Sequence, residues 1–135
     1  MGCTTNTNRW LEQVDELAMG ATSAQPSEQD AYIFAMEQML RLCPGHLREA
    51  KLRADQYDQI YAFVRLGAYA DAALALLPER AGVMTSHVGN VMFCASIRLE
   101  GQQRETTATA STFALAIVSA LALSFVELSL GMAAA

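Results

Sequence analysis

From Thr106 to Val126 the chain carries no Asp, Glu, Lys or Arg, and Glu127 alone interrupts the run onward to Ala135. A stretch this long and apolar has two physical outcomes. In lipid it spans the bilayer, since about 20 apolar residues reach across the hydrocarbon core. In water it becomes the central helix of a fold, apolar on every side because protein surrounds it. Phe113, Ile117, Leu121 and Phe125 form one ridge at helical spacing, with Val118, Ala122 and Val126 beside it. Thr and Ser interleave the run, and no Lys or Arg follows to anchor its far end. A buried central helix is therefore the expectation, with a C-terminal membrane anchor over 106–130 as an alternative.

The remainder of the chain supplies material to surround such a helix. At 135 residues, 53% hydrophobic and 17% charged, the composition is that of one domain able to bury a core. Three prolines leave long helices few interruptions, and the Ala and Leu of the second half favour helix. The expectation is a single all-α domain over 1–135, with residues 1–8 as a polar N-terminal tail.

Amphipathic stripes place the helices. Trp10, Leu11, Val14, Leu17 and Ala18 share a face over Arg9 to Met19, with Asn8 as cap and Gly20 as terminator. Ser27 and Asp30 fit a capping box, and Tyr32, Ala35, Met36, Met39, Leu40 and Cys43 follow at i, i+3, i+4 spacing up to Pro44-Gly45. A third helix is predicted from His46 to Leu66, carried by Leu47, Ala50, Ala54, Tyr57, Tyr61 and Val64, with Ile60 and Phe63 beside that seam. Gly67 supplies a turn, and Tyr69, Ala72, Ala73, Leu76 and Leu77 mark a fourth helix closed by Pro78. Short connections make such helices antiparallel neighbours. Leu40-Arg41-Leu42-Cys43-Pro44 recurs as Leu74-Ala75-Leu76-Leu77-Pro78, 34 positions later, the period of a tetratricopeptide hairpin.

Residues 83–100 satisfy two periods at once. Val91, Phe93, Ala95, Ile97 and Leu99 alternate as a half-buried strand does, whereas Val88, Val91, Met92, Ala95 and Leu99 trace a helical face. The helical neighbours favour helix. The alternative architecture is a set of N-terminal helices followed by a C-terminal strand–strand–helix unit.

The charged residues argue against several chemistries. Nine Lys and Arg face fourteen Asp and Glu for a net charge of −5, the wrong sign for a phosphate backbone, so no nucleic-acid partner is expected. The three cysteines, Cys3, Cys43 and Cys94, are widely spaced and form no CxxC pair. His46 and His87 are the only histidines and lack partners at metal-ligand spacing, so neither a metal nor a cofactor is expected. Glu12, Asp15 and Glu16 read as a solvated helix face. No nucleophile elbow, P-loop or zincin motif occurs, and no enzymatic role is expected. With a polar N-terminus in place of a signal sequence, the expected location is cytoplasmic.

What remains is binding to protein. Met is flexible and Tyr amphipathic, the properties adaptable grooves use, so Tyr32, Met36, Met39, Tyr57, Ile60, Tyr61, Phe63 and Tyr69 are the candidate contact residues. The order of features strengthens one version of this. Leu11-Glu12-Gln13-Val14-Asp15-Glu16-Leu17-Ala18 precedes a glycine loop and a capped Ala/Met helix. Ala62-Phe63-Val64-Arg65-Leu66 then leads into Gly67-Ala68-Tyr69-Ala70-Asp71-Ala72-Ala73-Leu74, and Met92-Phe93-Cys94-Ala95-Ser96-Ile97-Arg98-Leu99-Glu100-Gly101 precedes the terminal helix. This run resembles the small tetratricopeptide-like chaperones that hold the needle subunit of type III secretion systems before export. It departs from them in its longer, more apolar tail. The resemblance implies a concave helical surface that sequesters an amphipathic helix of a secreted, polymerising client, steadied by a small helical co-chaperone. The rival expectation is a small accessory or inhibitor protein of a phage or mobile element, with an αββα layout that uses 83–100 as a hairpin.

Overall fold

The Thr112 side chain opens the long apolar helix by accepting a hydrogen bond from the Leu115 amide at 3.2 Å, an N-cap that fixes where extended chain becomes helix. The computed structural model describes residues 2–45, 47 and 51–134, and side chains from 7 to 131 within those. Helix α1 spans Gly2–Ser23, a 3-10 turn covers Pro26–Glu28, and α2 spans Gln29–Arg41. Helices α3 (Ala54–Arg65) and α4 (Tyr69–Leu74) follow. Strands β1 (Gly82–Val88), β2 (Met92–Arg98) and β3 (Thr106–Ala110) precede α5 (Phe113–Ala134).

The expected all-α, tetratricopeptide-like fold is overturned by the three strands. They form an antiparallel meander in the order β1-β2-β3, with Thr85 opposite Ala95 and Ala95 opposite Ala108. The chain takes the alternative layout, helices followed by a strand–strand–helix unit, with a third strand before the helix. The two copies of the 34-residue repeat end α2 and α4, but the second leads into a sheet, and no further helical hairpin follows among the described residues.

Hairpin wins over helix at 83–100 for local reasons. Val83, Thr85, Val88, Val91 and Ile97 are β-branched and favour a pleated surface. Gly89 adopts φ +59° at the tip, a left-handed conformation that turns the chain and that a helix interior would waste at a cost of about 1 kcal/mol. The uncharged run likewise divides: Thr106, Ala108 and Ala110 alternate as buried positions of β3 before Thr112 starts α5.

Helix α5 is the centre of the fold. It packs on α1, on α2 and α4, and on the inner face of β2 and β3. Its segment Phe113–Gly131 is long and apolar enough to cross a membrane, and 67% of its most apolar window is buried within the fold. Leu115, Ile117, Leu121 and Phe125 are all fully buried. Small residues on both partners let α1 lie close against it: Ala18 and Ala21 face Ser119, whose hydroxyl donates to the Ala18 carbonyl at 2.9 Å. Trp10 meets Phe125 edge-on at 6.2 Å between centroids and donates its indole N–H to the Met39 carbonyl at 2.7 Å, tying α1 to both α5 and α2.

Several helix boundaries also move. Helix α1 runs through most of the expected N-terminal tail and continues past Gly20. A Cβ at Gly20 would stand 2.5 Å from the Tyr32 hydroxyl oxygen, so this glycine serves close packing with α2 and does not terminate the helix. The expected helix from His46 to Leu66 shortens to α3, which starts where the Arg53 amide donates to the Gln56 side chain at 2.8 Å. His46 and Ala50 lie outside the described residues, while Leu47 and Leu52 are buried without belonging to a long helix.

Gly67 does act as the expected turn. At φ +73° it lets the Ala68 amide reach the Phe63 carbonyl (2.8 Å) and its own amide reach Val64 (3.0 Å), the two bonds of a Schellman cap. Gly67→Ala forces a Cβ into the left-handed region and is expected to lower unfolding free energy by about 1–2 kcal/mol, measured by urea titration.

Candidate interaction surfaces

The eight residues singled out from sequence divide by burial. Met36 and Ile60 are fully buried members of the core. Tyr32, Met39, Tyr57, Phe63 and Tyr69 are half-buried and pack against its margin. Tyr61 is the exposed member, 45% accessible, and it stacks on Phe34 at 5.1 Å between centroids. Leu66, the C-cap residue of α3, is 80% accessible but lies on a different side of the helix axis from Tyr61.

Sequence reasoning missed a buried charge. Glu37 on α2 is fully buried, and its Oε1 accepts from Arg41 Nε at 2.7 Å and from the terminal guanidinium nitrogen at 2.6 Å. Hydrogen bonding to Glu37 raises the Arg41 pKa above its ordinary value. The guanidinium also lies 4.2 Å above the centre of the Tyr57 ring, a cation–π contact that links α2 to α3. Glu37 Oε2 has no hydrogen-bond partner among the described residues. The i, i+4 spacing of Glu37 and Arg41 was visible in the sequence, but nothing there distinguishes a buried pair from a solvated one.

A second polar group anchors the far end of α5. Glu127 Oε2 accepts from the Thr106 hydroxyl at 2.9 Å and from the Gln102 amide at 3.4 Å, and the Gln102 amide also donates to Thr106 at 2.9 Å. Gln102 Oε1 in turn accepts from the Leu99 amide at 2.8 Å, closing the turn between β2 and β3. An open cleft of about 510 Å³ lies here, lined by Arg104, Glu127 and Leu128 among others. The one acid in α5 thus holds the helix to the sheet.

His87 belongs to the hairpin. Its Nδ1 is 3.0 Å from the Gly89 carbonyl, and its ring stacks on Phe93 at 6.1 Å and meets Phe113 edge-on at 5.9 Å. Cys43 and Cys94 are free thiols, and burial pushes the Cys43 thiol pKa up, the thiolate being costlier to desolvate. Among the described residues no three His, Cys, Asp or Glu side chains gather where they could hold a metal ion.

The most distinctive surface is the β1–β2 hairpin. Residues on the inner face of β2 and β3 are covered by α5, but β1 overhangs that layer: Val83 alone of its seven residues is half-buried and the rest are exposed. Met84, Val88, Val91 and Met92 are 67%, 73%, 85% and 50% accessible. Among the described residues β1 pairs with β2 alone, so its other side presents unpaired main-chain N–H and C=O groups. Natural edge strands are blunted by charge, proline or a bulge. Here no Asp, Glu, Lys, Arg or Pro occurs between Arg80 and Arg98, and the pairing with β2 runs without interruption from Gly82 to Val88. The sequence signal for this edge is the uncharged run over 81–97, between Arg80 and Arg98. No family model matches the chain, and no curated protein or solved structure does either.

Proposed function

We propose that this chain is a non-catalytic protein-binding module that works by strand addition at the free edge of β1. The observation carrying this reading is the seven-residue edge, unpaired on one side, uncharged and without proline. Strand addition draws affinity from main-chain hydrogen bonds and specificity from alternate side chains. Met84, Ser86 and Val88 supply those side chains on the solvent face. The helices α2 to α4 and α5 then serve as the rigid base that holds the sheet.

A photo-crosslinking amino acid in place of Ser86 tests this in the native cell. The expected result is cross-linking to one extended segment of a partner chain. Its absence at position 86 would remove the reading.

A helical client remains a second reading because Tyr61, stacked on Phe34, leaves apolar surface on α3. It would keep the sequestering chaperone role, with a shallow helix face in place of a tetratricopeptide groove. Cross-linking from Tyr61 with none from position 86 would favour it.

A further inference from the structure

We infer that the outer face of the β1–β2 hairpin is a binding site for a cuprous ion, Cu(I), with Cys94 as thiolate ligand and Met84 and Met92 as thioether ligands. The site lies on the face of the sheet turned away from α5. It uses side chains of that face and not the main-chain edge of β1, so it stands independently of strand addition.

The pairing register brings these residues together. Ala95 and Ile97 are buried on the α5 side of β2, so the alternate residues Met92, Cys94 and Ser96 project from the opposite face. Ser86 stands opposite Cys94, and Met84 opposite Ser96. Met84 is therefore the diagonal neighbour of Cys94 across the ladder, and Met92 its neighbour on the same face along β2. Such neighbours are about 7 Å apart, within reach of a long side chain. Met84 is 67% accessible and Met92 50%, so neither thioether is taken up by the core. Cys94 is a half-buried free thiol between them.

Donor chemistry selects the ion. Thiolate and thioether are soft ligands and take Cu(I), whereas magnesium, calcium and manganese need carboxylate or carbonyl oxygen. Between Arg80 and Arg98 there is no Asp or Glu, and His87, opposite Phe93, lies on the inner face. Zinc is disfavoured as well, because its sites draw on Cys, His and carboxylate and not on thioether. Methionine has three rotatable bonds, so both arms can close on an ion held at Cys94 without moving the strands. Binding replaces the S–H bond of Cys94 by a Cu–S bond and releases the proton to solvent. Copper enters and stays as Cu(I), so the step needs no oxidant or reductant.

Titration of the reduced full chain with Cu(I), in competition with a chromophoric Cu(I) chelator, tests the inference. The expected result is a single ion per chain retained against the chelator, with an X-ray absorption spectrum that shows sulfur alone around copper. Cys94→Ser is expected to abolish retention. Met84→Leu and Met92→Leu keep the volume and apolarity of each side chain. Losing an outer-shell partner already costs about 10–100-fold in metal affinity, so losing either thioether is expected to weaken binding by at least about tenfold. Cys3→Ser and Cys43→Ser leave the affinity unchanged, as does Met19→Leu at a 67% accessible position on α1. Circular dichroism confirms that each variant is folded. A wild-type chain that retains no Cu(I), or undiminished retention by Cys94→Ser, overturns the inference. Wild-type affinity in either Met→Leu variant overturns it too, because a thiol would then be acting without that thioether.

Discussion

Replacing Phe125 with Ala is expected to lower the unfolding free energy by about 3–5 kcal/mol, read as a shift of the urea midpoint with the slope unchanged. Domains of this size have about 5–15 kcal/mol in total, so the loss is a large fraction of the whole. Phe125 is 1% exposed on the helix that every other layer touches. Its removal deletes a large buried ring and leaves Trp10 without its edge-on partner. Relaxation can recover little, because Trp10 is also held by its bond to the Met39 carbonyl. Phe125→Leu keeps most of the volume and should recover most of the loss. A Phe125→Ala chain within 1 kcal/mol of wild type, by the same ~3 kcal/mol standard, would mean that α5 is not the centre of the core.

The second large effect concerns Glu37 and Arg41. Arg41→Met leaves the buried Glu37 carboxylate without its partly exposed counter-ion, and stranding one buried charge is worse than removing both partners. The single variant should therefore unfold at a markedly lower urea concentration than wild type. The double variant Glu37→Met/Arg41→Met should recover most of the difference. Adding Glu37→Met alone completes a double-mutant cycle on these residues in contact, where additivity is expected to fail. A double variant no more stable than Arg41→Met alone would show that the lone carboxylate carries no penalty. Loss of the stacking of Arg41 on Tyr57 is common to both variants, so it cancels from the comparison.

What could be read from the sequence followed from how local the cause was. The α2 and α5 stripes, the Gly67 turn and the burial of the uncharged helix all come from spacing within a few turns, and each is present in the fold. The error at 83–100 arose where two periods fitted the same residues. There the turn signal of Val88-Gly89-Asn90-Val91 between two alternating runs outweighs the helical neighbours. Gly20 was misread because its reason is tertiary: the Tyr32 hydroxyl from another helix occupies the space a side chain would need. The contact residues divided for the same reason. Periodicity groups Met36 and Ile60 with Tyr61, but only packing separates the core side of a helix from its rim. The unpaired edge of β1 depends on strand order, which no local pattern encodes.

The central position of α5 has a consequence for synthesis. Ser119 bonds to Ala18 across 101 positions of chain, and Ser111 bonds to the Ala24 carbonyl across 87. Helices α1 to α4 and the hairpin all leave the ribosome before the helix that they surround. Until α5 emerges, Val14, Ile33, Leu40 and Leu76 lack the central helix that completes their core. Contacts of such sequence separation make folding slow, and a nascent chain in this state is prone to aggregation. The inner face of β2 thus waits, during synthesis, for a helix that is made after it.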